Sequence, residues 1–230
     1  MNVRALPFAW LLAALLLPTC AAAGNAQLVG IAGGDYHVRI VTLKEARFRN
    51  TIRQKYDFSC GSAAVATLLT YQYGFPVSEQ SAFAQMFAHG NRAKIGKEGF
   101  SLLDIKRFLD ALGFEADGFI ASLDKLEQGH LPAIVLIDER GYHHFVVIKG
   151  LLAGRVLVGD PAKGTRSIPL AEFEKAWTNH LVFVIHNHRN LAIFNSRDDW
   201  RAAPMALLAA GIDRRGLYGV VMPKSGVSGF

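Results

Sequence analysis

Cysteine is the residue this chain uses least, with two in 230 residues, at positions 20 and 60. Cys20 falls inside residues 1–23, which have the form of an export signal: Arg4 near the start, an apolar run over 6–17, then Pro18-Thr-Cys-Ala-Ala-Ala23. Cleavage is expected after Ala23. Only one thiol then remains, and an internal disulfide is excluded. Leu17-Pro-Thr-Cys20 also has the outline of a lipoprotein signal, although Thr19 is a poor residue before a lipidated cysteine. There is no second long apolar run, and the first is too short to stay in a bilayer as a spanning helix. Repeats and low-complexity tracts are missing as well. No glycine-rich loop follows a strand in the way phosphate binding requires, since Gly96-Lys97 stands alone. Charge is not concentrated anywhere: 25 Lys and Arg against 19 Asp and Glu give a net +6 spread along the chain. That pattern speaks against a nucleic-acid partner and leaves peripheral contact with an envelope surface open.

What is present after the signal is about 200 residues, enough for one well-buried domain with a modest appendage. The expected order is an N-terminal arm over 24–50, a central domain over 51–186 and a C-terminal extension over 187–230. A strand is expected at 35–43. The alanine-rich run after Cys60 predicts a buried helix ending near Gly74 and Pro76. Ser78 caps a second helix reaching Gly90, and 91–99 is charged and glycine-containing, so a mobile loop is expected there. Ser101-Leu-Leu-Asp104 has the form of a capping box before a helix that stops at Gly113. A short helical turn is expected over 122–129.

From residue 131 the period changes. Strands are expected at 131–137, 143–149 and 155–159, the last two joined through Ala153-Gly154, followed by a helical turn over 170–177 and a strand at 181–185. Helices first and antiparallel strands afterwards predict an α+β domain, its helical half packed on a sheet.

The chemistry-bearing stretch is Gln54-Lys-Tyr-Asp-Phe-Ser-Cys60-Gly61. A cysteine at the start of a helix meets unpaired N–H groups and the positive end of the helix dipole, so a lowered thiol pKa is expected. His144 opens the strand Phe145-Val-Val-Ile148, and Asp160 closes the strand Val156-Leu-Val158. In an antiparallel hairpin turning near residues 152–154, the first residue of one strand lies beside the last of the other. Asp160 is then placed to orient the His144 imidazole and stabilise its charged form. Gln54, six residues before the cysteine, can bring its carboxamide to the helix mouth. With the Cys60 N–H it would form an oxyanion hole. Cys60, His144, Asp160 and Gln54 are therefore the candidate catalytic set, and no metal or other cofactor is required. The pair His186 and His188 lacks an evident third ligand for a metal site.

These positions, Gln54-x5-Cys60-Gly61, His144-Phe-Val-Val and Asp160-Pro161, together resemble the bacteriocin-processing, double-glycine leader peptidase family, a papain-like cysteine peptidase group. The resemblance runs from about residue 52 to 185 and implies a papain-like fold. It also implies Cys60 as nucleophile, His144 as general base and acid, Asp160 as orienter and Gln54 as oxyanion donor. His143 is passed over because the family histidine directly precedes the aromatic-Val-Val run. Family members commonly have Asp just before the cysteine, whereas this chain has Ser59. Members fused to a membrane exporter and its ATPase are cytoplasmic. With its own export signal, this chain is more similar to the stand-alone exported members, including those that accompany functional-amyloid secretion.

The expectation is thus an exported, periplasmic cysteine endopeptidase acting on a peptide or protein substrate, with amyloid subunits or secretion components as partners. Cleavage after small residues such as Gly-Gly is what the wider family implies. A peptidase-fold module that binds leader peptides or amyloid subunits without hydrolysis is the alternative. Acyl transfer to an amine, as in transglutaminase-like papain relatives, is a third.

Overall fold

The computed structural model describes residues 25–29, 35–39 and 41–203; the expected signal and the tail beyond residue 203 lie outside the described residues. The chain divides into two units, Met1–Thr42 and Leu43–Phe230. In the first, β1 (Asn25–Val29) and β2 (Asp35–Arg39) form an antiparallel hairpin with Asn25 opposite Arg39. The strand expected over 35–43 is shorter than its pattern, because Leu43–Arg47 is a helix, α1.

In the second unit the helical half packs around α2 (Cys60–Thr67), whose residues are all buried. Its alanines and Gly61 let neighbours approach closely. The helix runs on as a π-helical turn, Leu68–Gln72, and the chain then reverses at Gly74, which has a left-handed φ of 66°. Next come α3 (Glu79–His89), capped by the Ser78 side chain, and α4 (Arg92–Glu98), capped by Asn91. Helix α4 corrects the expectation of a mobile loop. The Asn91 cap starts it, and Ile95 anchors it by inserting into the core at 1% exposure. Helix α5 (Leu102–Ala111) opens on the expected capping box, with Ser101 and Asp104 bonded reciprocally.

The sheet follows: β3 (Ala116–Ile120), helix α6 (Leu123–Gly129), then β4 (Ala133–Glu139), β5 (Tyr142–Leu152), β6 (Arg155–Asp160) and β7 (Gly164–Pro169). Helix α7 (Leu170–Ala176) and β8 (Leu181–Ile185) complete it. The order is β3-β8-β4-β5-β6-β7, antiparallel throughout. The domain is α+β, as the change of period indicates. Within this sheet the two strands the sequence did not lead one to expect, β3 and β7, are the two edges; β1 of the N-terminal hairpin was likewise not expected. Edge strands are half-exposed, so Ala-Asp-Gly-Phe-Ile and Gly-Thr-Arg-Ser-Ile-Pro carry no continuous apolar run.

One core face joins α2, α3 and α5 to the sheet through Val65, Met86, Ile105, Leu109, Val147 and Phe183. The other lies under α7, built from Val146, Ile148, Val156, Val158, Phe173 and Trp177. Strand β5 supplies both faces, which is why Phe145-Val-Val-Ile148 is apolar without alternation. After β8, a short 3-10 turn and helix α8 (Arg197–Ala202) continue on the same body, and the Asn195 N–H donates to the Lys149 carbonyl at 2.9 Å. None of the described helices is long and apolar enough to cross a membrane.

Candidate active site

Cys60 is the first residue of α2. The Ser59 hydroxyl does not cap that helix; it bonds instead to the Tyr56 N–H and carbonyl, tightening the preceding loop. The thiol is 7% exposed and opens onto two adjoining recesses of about 370 and 300 Å³. Glu98, Gly99 and His143 border both. Gly99 has φ 81° and passes so near the Phe58 carbonyl that a Cβ would lie 3.3 Å from it, so this wall of the cleft requires glycine. Burial pushes the Cys60 thiol above its ordinary pKa. Hydrogen bonds to the backbone of Phe145, Gly61 and Cys60 itself pull it down, and the Asp160 charge raises it further. The lowered pKa expected from the helix start is therefore overturned, because desolvation outweighs the N–H groups.

The β5–β6 hairpin turns at Ala153 and Gly154, both with left-handed φ (50° and 69°), as a tight two-residue turn requires. Its register pairs Val147 with Gly159 and brings Asp160 to His144, with Oδ2 3.6 Å from Nε2. Both side chains are buried. Asp160 is well supplied with donors: its Oδ1 accepts from the Ala162 and Lys163 N–H groups and its Oδ2 from Arg166 Nε at 3.0 Å. His144 has none of this support. Neither ring nitrogen has a hydrogen-bond partner, so no hydrogen bond joins it to Cys60. Burial lowers its pKa and the Asp160 charge works against that shift. Because Nε2 faces Asp160, Nδ1 is the nitrogen left for a thiol.

The neighbouring His143 points to the other side of β5, as strand alternation requires, and its side chain is 54% exposed, 3.8 Å from Asp138. Tyr142, two residues before His144 and so on its side of the strand, has its ring 5.6 Å from the imidazole. Its hydroxyl donates to the Asp57 carbonyl at 2.9 Å, bridging β5 to the loop before Cys60. Tyr142 was not among the expected residues, although the two-residue strand period contains the signal.

The Gln54 N–H donates to the Pro161 carbonyl at 3.1 Å, which ties its segment to the turn after Asp160. Its side-chain Nε2 donates to the Tyr56 and Asp57 carbonyls, at 3.0 and 3.4 Å, and Oε1 is buried without a partner. The carboxamide is therefore turned into its own loop. His186 and His188 separate after the strand ends at Ile185: His186 Nε2 meets Asp117 at 2.9 Å, and His188 lies against the Phe114 ring.

Comparison with known proteins gives a consistent result. The sequence profile of the Peptidase C39 family matches residues 49–189. A probable functional amyloid protease, FapD, of Pseudomonas aeruginosa is 40% identical over 183 residues, 80% of either chain. FapD of Pseudomonas fluorescens is 35% identical over 172 residues, covering 74% of this chain and 76% of its own. The lactococcin-G-processing and transport ATP-binding protein LagD of Lactococcus lactis subsp. lactis is 28% identical over 138 residues, 18% of its own length. In three dimensions, the peptidase domain of Streptococcus ComA superposes with a TM-score of 0.50 at 22% identity, over 59% of this chain and 97% of that domain. That likeness concerns the fold, which is papain-like.

Proposed function

The chain belongs to the Peptidase C39 family of cysteine peptidases, and from that premise we propose an exported endopeptidase that uses Cys60, His144, Asp160 and Gln54. The observation that carries the assignment is His144: a buried imidazole with both nitrogens free of partners, beside a buried carboxylate. Its chain neighbour Phe145 supplies backbone to the thiol. Leaving such a ring unpaired costs stability, and a catalytic role accounts for its retention.

In the proposed cycle Cys60 gives its proton to His144 Nδ1, and the thiolate adds to the scissile carbonyl carbon. The oxyanion is received by the Cys60 N–H and by Gln54 Nε2, once that amide swings away from the Tyr56 and Asp57 carbonyls. His144 passes its proton to the departing amine, which leaves a thioester on Cys60. Water, deprotonated by His144, then releases the carboxylate product and restores the thiol. Asp160, opposite Nε2, stabilises the imidazolium in both half-reactions.

By similarity to FapD, the substrates proposed are proteins of a functional-amyloid system. Cleavage after small residues such as Gly-Gly is proposed from the resemblance to the double-glycine leader peptidases, and a periplasmic setting from the export signal expected in residues 1–23. The test is mass spectrometry of exported proteins with wild-type protein and with Cys60→Ala. Products carrying one added water, seen only with the wild type, are expected. Unchanged products after quantitative alkylation of Cys60 would reject the assignment. A second reading, capture of leader peptides or amyloid subunits without hydrolysis, draws on the raised thiol pKa and the inward-turned Gln54 amide. Peptide binding by the unmodified protein with no turnover would favour it.

A further inference from the structure

The family match ends at residue 189, yet the segment beyond it delivers a buried carboxylate into the fold. Asp199, on α8, is 2% exposed and lies 2.8 Å from the ammonium of Lys149, which is fully buried on β5. The same ammonium donates to the Asn50 carbonyl and stands 5.3 Å from the centre of the Tyr71 ring. Gln72 Nε2 donates to the other Asp199 oxygen at 3.2 Å. Two main-chain bonds hold the strap in place, Ile193 N–H to the Gln72 carbonyl at 2.7 Å and Asn195 N–H to the Lys149 carbonyl at 2.9 Å. The Asn195 side chain also sits against Gly150 where a Cβ would collide.

Three segments converge on this ion pair. Tyr71 and Gln72 belong to the π-helical turn that continues the Cys60 helix. Lys149 lies on the strand that carries His144. Asn50 opens the stretch that leads to Gln54. A lone ammonium at this depth is strongly disfavoured, and burial does lower the Lys149 pKa, with Asp199 opposing the shift. Without Asp199 the lysine would lose its proton or draw water in, and its hold on Asn50 would weaken.

We propose that Asp199 is a positioning residue of the peptidase: carried in by the C-terminal strap, it keeps Lys149 charged and so fixes the segments bearing Cys60, His144 and Gln54 relative to one another. The inference rests on the catalytic roles assigned under the proposed function, and it extends the peptidase unit through α8.

The experiment compares the full mature chain with Asp199→Asn, Asp199→Glu and the doubly neutral Lys149→Met/Asp199→Leu. Melting temperature, kcat and KM on an internally quenched Gly-Gly peptide, and the pH profile of iodoacetamide alkylation at Cys60 are measured. Asp199→Asn is expected to lower kcat about tenfold with KM within about twofold, and Asp199→Glu to recover most of it. The doubly neutral chain, with no buried charge left uncompensated, should regain the wild-type melting temperature while its kcat stays low, because nothing then holds the Asn50 carbonyl. Wild-type kcat in that chain, or a loss in Asp199→Asn no larger than its unfolded fraction, would overturn the proposal. If the wild type cleaves nothing, the peptidase assignment fails separately. Alkylation of Cys60 then decides: a shifted profile in Asp199→Asn and the doubly neutral chain supports positioning, and profiles superimposable on wild type refute it.

Discussion

At Cys60 desolvation and hydrogen bonding pull the thiol in opposite directions, and desolvation prevails. Iodoacetamide should therefore alkylate Cys60 of the resting protein more slowly at neutral pH than it alkylates free cysteine, with the rate climbing only above the ordinary thiol range. An apparent pKa below that of free cysteine would contradict this. His144 is the complementary case, held neutral by burial. Its folded pKa is lowered, so between that value and about 6.5 the unfolded chain binds the extra proton. Its contribution to stability is intact above about pH 6.5 and is lost as pH falls from there towards the folded value. Urea midpoints should drop between pH 7.5 and 5.5, with a shallower slope in His144→Gln. The two adjacent histidines separate by turnover: His144→Ala should cost about 10³-fold or more in kcat/KM and His143→Ala less than about threefold. A larger loss at His143, which borders both recesses beside Cys60, would transfer the role of base to it.

Among the elements, α2 matters most, and its tightest point is Gly61. A Cβ there would lie 2.9 Å from Phe100 Cβ and 3.6 Å from Ile105 and Phe145 side-chain atoms. Phe100 Cβ moves only with its backbone, so Gly61→Ala should destabilise the fold by about 1–3 kcal/mol, read from denaturant midpoints. At α5 the Ser101 hydroxyl accepts the Asp104 N–H, and Ser101→Ala should cost about 1 kcal/mol without changing KM. Helix α5 was legible because capping residues and apolar spacing lie close together in the chain. Helix α4 was not, since its only deep contact is Ile95 and its other residues are charged or small. The edges β3 and β7 were hidden for a similar reason: a partner on one side alone leaves little apolar pattern.

For the whole molecule, residues 1–23 supply the expectation of export, and protein recovered from the periplasm should begin at Gly24 by N-terminal sequencing; a blocked, lipid-bearing Cys20 would contradict that. Local order along the chain was enough to define the α+β class, the helix opened by Cys60 and the β5–β6 hairpin, whose tight turn at Ala153-Gly154 joins near neighbours. The pairing that puts Asp160 on the His144 side of β5 also needs the β-bulge between Ile148 and Gly150, which shifts the register by one residue and has no signal in the local pattern. Other features depended on packing between distant segments. The protonation of the thiol, the inward turn of the Gln54 amide and the meeting of Lys149 with Asp199 leave no periodic trace in the residues. They follow from which polar groups are taken out of water together, and that is decided only when the sheet, the central helix and the C-terminal strap close on one another.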